Sequence, residues 1–112
     1  MGATYRQNGE AIDFTPATDV ASGDVVVQGD LLGVAKLDIK TGVLGALSVE
    51  GVFDFPKATG AGTAIASGVN AYWDAVNKVA TTDAVAGANK LIGKTIRAAA
   101  DDDAMVRVRL TQ

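Results

Sequence analysis

The 112-residue chain has no cysteine and no histidine. The first absence excludes disulfides and thiolate metal sites. The second removes the commonest general base and the commonest metal ligand. Aromatic residues make up only 5% of the chain. No apolar run approaches the roughly 20 residues that a membrane-spanning helix needs, and no basic-then-apolar start resembles a signal peptide. Met1-Gly2 fits an N-myristoylation start, but Arg6 stands where that pattern requires Ser or Thr. A soluble protein made in the cytoplasm, with no membrane partner, is expected. The net charge is -3 and the basic residues are scattered, so no phosphate-binding patch forms and nucleic acid is not expected as a partner.

What remains is a chain that is 48% hydrophobic, with that share carried largely by Ala and Val, and with 13 Gly. Such a composition favours short strands joined by tight turns. Small side chains bury little area each, at roughly 25 cal/mol per Å², so part of the stability is expected to come from contacts between copies.

Along the chain, Ile12 and Phe14 alternate with Asp13 and Thr15 before Pro16, which predicts a short strand at the end of an extended arm over residues 1–16. Residues 17–112 are read as one β-domain. Within it, Val25-Val26-Val27 and Leu31 to Ala35 predict two strands separated by the turn at Gly29-Asp30. The longest predicted strand runs from Ala46 to Phe55, with Leu47, Val49, Phe53 and Phe55 on one face. Ala71-Tyr72-Trp73 and Lys78 to Thr81 flank the turn Asp74-Ala75-Val76-Asn77 and predict a hairpin. Leu91 to Ile96 and Ala104 to Leu110 complete the set, the last with Val106, Val108 and Leu110 inward and both arginines outward. A helical turn over Thr95 to Ala100 is the one departure, and Asp101-Asp102-Asp103 at its carboxyl end disfavours it.

An internal repeat emerges. Val20-Ala21-Ser22-Gly23 matches Ile65-Ala66-Ser67-Gly68, and Leu31-Leu32-Gly33-Val34 matches Leu91-Ile92-Gly93-Lys94. Ala46-Leu47-Ser48-Val49 matches Ala104-Met105-Val106-Arg107 in placement. Two similar β units closing on one another predict an all-β fold, a compact sandwich or barrel.

Four constellations invite chemistry. Ala88 to Thr95 fits a relaxed nucleotide-binding P-loop, yet its interior of Lys, Leu and Ile favours a strand, and its Gly93-Lys94-Thr95 occupies the repeat position of Gly33-Val34-Ala35. Asp101-Asp102-Asp103 lacks the spaced ligands of a cation loop and reads as a solvated turn. Ser22, Ser48 and Ser67 have no histidine to activate them. Trp73 and Tyr72 read as a core or interface anchor rather than a sugar platform. No catalytic residue, cofactor, metal or small-molecule substrate is expected.

Seven segments taken in order resemble the phage capsid cement family. They are Asn8 to Thr15, Ser22 to Val26, Leu31 to Ala35, Gly45 to Phe53, Ala71 to Asp74, Leu91 to Gly93 and Val106 to Leu110. Members of that family are often labelled as phage recombinases, which the reading of Ala88 to Thr95 does not support. The resemblance implies a small β-domain on the outer surface of a tailed-phage head, a homotrimer clamping neighbouring major capsid proteins. Tyr5, Arg6 and Phe14 in the arm are the candidate capsid or inter-subunit contacts, because arms pair by strand addition. The alternatives are another virion subunit, of the tail tube or head completion, and a nucleotide-binding recombination protein.

Overall fold

β-branched and small residues, punctuated by glycine turns, give nine strands in the computed structural model, which describes Ala3 and residues 10–111. They are β1 (Ala11–Phe14), β2 (Val25–Gln28), β3 (Leu31–Val34), β4 (Gly45–Ser48), β5 (Gly51–Pro56), β6 (Asn70–Asp74), β7 (Val79–Thr81), β8 (Lys90–Thr95) and β9 (Met105–Leu110). Two antiparallel sheets form, ordered β1-β4-β3-β2 and β5-β9-β8-β6-β7. The fold is all-β and sandwich-like. A parallel bridge between Lys57 and Ala80 draws two outer strands together at one corner without closing a barrel. β1 pairs along its whole length with β4, from Ala11 opposite Ser48 to Phe14 opposite Gly45.

The repeat seen in the sequence is present in the backbone hydrogen bonds. Val20 and Ile39 exchange both of theirs at 2.8 Å, and Ile65 and Ala99 exchange theirs at 2.9 and 2.8 Å. The amide of Gly23 donates to Ala35 O, as that of Gly68 donates to Thr95 O. Ala35 N donates to Asp24 O, as Thr95 N donates to Val69 O. In strand terms β1, β2, β3 and β4 correspond to β5, β6, β8 and β9, and both sheets share the same order. The second half departs where the tight turn at Gly29 and Asp30 is replaced by β7 and a 3₁₀ turn at Val85–Gly87.

The repeated glycine has a physical reason. A Cβ on Gly33 would lie 2.9 Å from Leu47 Cβ, and one on Gly93 would overlap the carbonyl oxygen of Arg109. In each half the neighbouring strand approaches too closely for any side chain.

Two expectations need correction, and the disfavoured helix candidate does not form. The stretch from Ala46 to Phe55 is not one strand: β4 and β5 belong to different sheets. The strands part at Val49 and Glu50: Val49 N turns to Glu10 O, and Gly51, which opens β5, has a φ of +118° that only glycine adopts without strain. The matching of Ala46 with Ala104 is out of register, because Ser48 pairs with Val34 as Arg109 pairs with Lys94, which sets Ala46 against Arg107. Thr95 to Ala100 forms no helical turn. Ile96 N donates to Arg107 O and Ala99 pairs with Ile65, so extended pairing consumes the amides a helix would use.

The larger core lies in the second half: Phe55, Ile65, Ala71, Trp73, Ile92, Val106, Val108 and Leu110 pack together, with Leu32 and Val34 of β3 joining from the first sheet. Phe55 lies between Phe53 and Trp73, with ring centroids 6.3 and 6.2 Å away. The first half has a smaller cluster of Ala35, Ile39 and Leu47, against which Ile12, Phe14, Val20 and Val26 are only partly buried.

Candidate functional site

Because the halves share one backbone plan, they present the same groove twice, where the loop before the last strand overhangs the sheet. In the first half the groove has Ala11, Ile39, Ala46 and the loop residues Leu37, Val43 and Leu44 along it, with Lys36, Asp38 and Lys40 at its border, enclosing about 490 Å³. Those three loop side chains are 77%, 53% and 67% exposed, an unusual placement for large apolar groups next to one another. Its counterpart, of about 270 Å³, is lined by Asp54, Arg97, Asp103, Met105 and Arg107. Leu37 is therefore replaced by Arg97 and Val43 by Asp103. One backbone carries an apolar groove at one end and a charged groove at the other.

In the charged groove, Arg107 Nε donates to Asp54 Oδ1 at 2.9 Å and its second guanidinium nitrogen to Oδ2 at 3.3 Å. This hydrogen bonding holds the Asp54 carboxyl below the usual carboxylate range, aided by the charges of Arg107 and Arg97 and opposed by partial burial. The same bond raises Arg107.

The residues singled out in the sequence take ordinary structural places. Lys94 lies on β8 between β6 and β9 and donates to Asn70 Oδ1 at 2.7 Å. The amides around it are committed to strand ladders, and no helix follows, so Ala88 to Thr95 forms no phosphate-binding loop. Asp101 Oδ1 accepts from Ala64 N and Asp103 Oδ2 from Ala100 N, each at 2.8–2.9 Å, so these carboxylates cap loop amides. Among the described residues no cluster of acids is arranged to hold a metal ion. Ser22 Oγ donates to Lys36 O and its amide to Asp38 Oδ1. Trp73 is buried in the larger core and Tyr72 half-buried beside it on β6.

Of the three arm residues, Tyr5 and Arg6 lie outside the described residues. Phe14 sits on β1, half-buried against the smaller core, and lines a cleft of about 540 Å³ that also reaches Trp73 and Pro56.

Lys57 is the residue sequence reasoning missed. It is 5% exposed, and its ammonium donates to Ala58 O at 2.7 Å, Asp103 O at 3.1 Å, Thr63 Oγ1 at 3.2 Å and Asp101 O at 3.4 Å. It ties the loop after β5 to the loop before β9 through oxygens alone. A lone lysine after proline carries no periodic signal, so nothing in the pattern marks it.

A family model for phage cement proteins matches residues 6–110, nearly the whole chain. The chain belongs to the phage cement protein family. The cement chain thus has a structural, capsid-stabilising role and a place on the phage capsid. No curated protein and no solved structure matches it. For a cement protein, two unlike surface grooves on a duplicated scaffold are more informative than any single polar cluster.

Proposed function

We propose that this cement protein binds the outside of a tailed-phage head as a homotrimer and holds neighbouring major capsid proteins together, without catalytic activity. The observation that carries the reading is the match to the cement family over residues 6–110. The duplicated, antiparallel scaffold supports it, since such a frame presents surfaces rather than a cleft with converging polar groups. Its action is mechanical. Binding free energy spread over several capsid subunits is realised only while they stay adjacent, so bound cement opposes their separation under internal DNA pressure.

The arm residues Tyr5 and Arg6, with Phe14 at the cleft, are the proposed contacts to capsid or neighbouring subunit. Binding to purified, expanded, empty heads by co-sedimentation tests the reading. Saturable binding to the outer surface is expected. Removing residues 2–9, which leaves β1 intact, is expected to lower occupancy while the thermal melt of the free protein is unchanged. Absence of head binding by the intact chain contradicts the decoration role. Unchanged occupancy after the truncation contradicts the contact role of Tyr5 and Arg6.

A further inference from the structure

The duplication supplies an internal comparison for each surface residue, and one comparison leaves a carboxylate without its cation among the described residues. Asp54 on β5 stands opposite Arg107 on β9 and is bonded to it. Its repeat counterpart Asp13 on β1 stands opposite Ala46 on β4, and Asp13 has no ion-pair partner among the described residues. Asp13 shares its strand face with Ala11, which lines the apolar groove.

The second half shows the opposite imbalance. On the solvent face of its sheet Arg109 stands directly opposite Lys94, and like charges placed so repel. Lys94 is bonded to a neutral Asn70 oxygen, while Arg109 has no bonded partner among the described residues. The counterpart of Arg109 in the first half is Ser48 and that of Lys94 is Val34, so the cations are peculiar to one end of the molecule. Val52, which stands opposite Arg109, and Ile96, two residues beyond Lys94, are about half exposed, apolar partners for Leu37, Val43 and Leu44 at the other end.

We infer that a second copy of this chain docks head to tail, its β8–β9 face against the apolar groove of the first, with Arg109 of one copy meeting Asp13 of the next. Charge and apolar area are complementary between two different surfaces of one chain, and such a heterologous contact closes into a ring when the rotation permits. Lys36 and Lys40 also border the groove; Lys40 already faces Asp19 across 3.8 Å. The inference rests on the homotrimer reading above and assigns its interface.

The test is a charge exchange in the full-length chain, read by analytical ultracentrifugation. Asp13→Lys and Arg109→Glu are each expected to weaken self-association about tenfold or more. The double variant, which restores opposite charges across every contact, is expected to recover most of it. Unaltered circular dichroism spectra establish that both exposed sites leave the fold intact, whereas a melt would fall with the weakened association itself. Single variants that associate normally, a double variant no better than either single, or a wild-type chain that stays monomeric would each overturn the interface. If the singles keep their mass but lose occupancy on empty heads, the face belongs to the capsid, and the inference fails while decoration stands. If the exchange behaves as expected but the wild type ignores heads, the interface stands and decoration fails.

Discussion

The α-carbon of Gly93 lies so close under the carbonyl oxygen of Arg109 that a methyl group there would overlap it. This contact sets the spacing of β8 and β9 at the floor of the larger core. Gly93→Ala must push β9 away from its register, so a loss of about 3 kcal/mol or more is expected. Gly33→Ala meets Leu47 Cβ at 2.9 Å and Ser48 O at 3.2 Å, looser contacts than the overlap at Gly93, and about 1–2 kcal/mol is expected. Chemical denaturation of both variants checks the ranking; equal effects contradict the backbone argument.

Lys57 is expected to matter more than its sequence context implies. Lys57→Met keeps most of the volume but leaves the carbonyls of Ala58 and Asp103 without the ammonium. Ala58 and Asp103 are exposed residues, so the cost is that of the lost hydrogen bonds to a charged donor, about 1.5–3 kcal/mol. Hydrogen exchange gives the local signature. The amides of Lys57 and Gly60, which donate to Ala104 O and Asp101 O, should exchange faster than those of β6.

The Asp54–Arg107 pair carries a pH prediction. Its side chains are 45% and 43% exposed, so Asp54→Asn is expected to cost under about 1 kcal/mol at neutral pH. Because the folded carboxyl is held low by its bond to Arg107, its contribution is present above the unfolded value and fades as pH falls through the lowered one. Asp19, bonded to Thr41, and Asp74, bonded to Asn77, are lowered likewise. The wild type should therefore lose stability below about pH 4, and the difference from Asp54→Asn should shrink there. A difference that persists at lower pH contradicts the assignment.

Lys94 distinguishes a strand from a phosphate loop. Lys94→Ala removes one exposed hydrogen bond to Asn70, and a change within about 0.5 kcal/mol is expected. Calorimetry with ATP and magnesium should show no saturable binding by either the wild type or the variant. Saturable binding lost on substitution contradicts the strand reading.

The sequence carried the all-β class and most strands because period-2 burial survives in short segments: β9 alternates fully, with Val106, Val108 and Leu110 buried. It also carried the repeat through Gly33 and Gly93, where sterics leave no other residue. It did not reveal the break just before Gly51. The alternation from Leu47 to Phe55 runs unbroken through the turn, and only the backbone angle separates two sheets. The grooves were hidden for another reason. Leu37, Val43 and Leu44 are adjacent only once the loop folds over β4, and their meaning depends on Arg97 and Asp103 standing in the same places in the other half.

The most direct test of the account is thermal rupture of empty, expanded heads with and without saturating cement protein, followed by release of capsid subunits. Decoration predicts that bound protein raises the rupture temperature, and that the rise scales with occupancy. Heads that bind the protein yet rupture at the same temperature would contradict a cementing role.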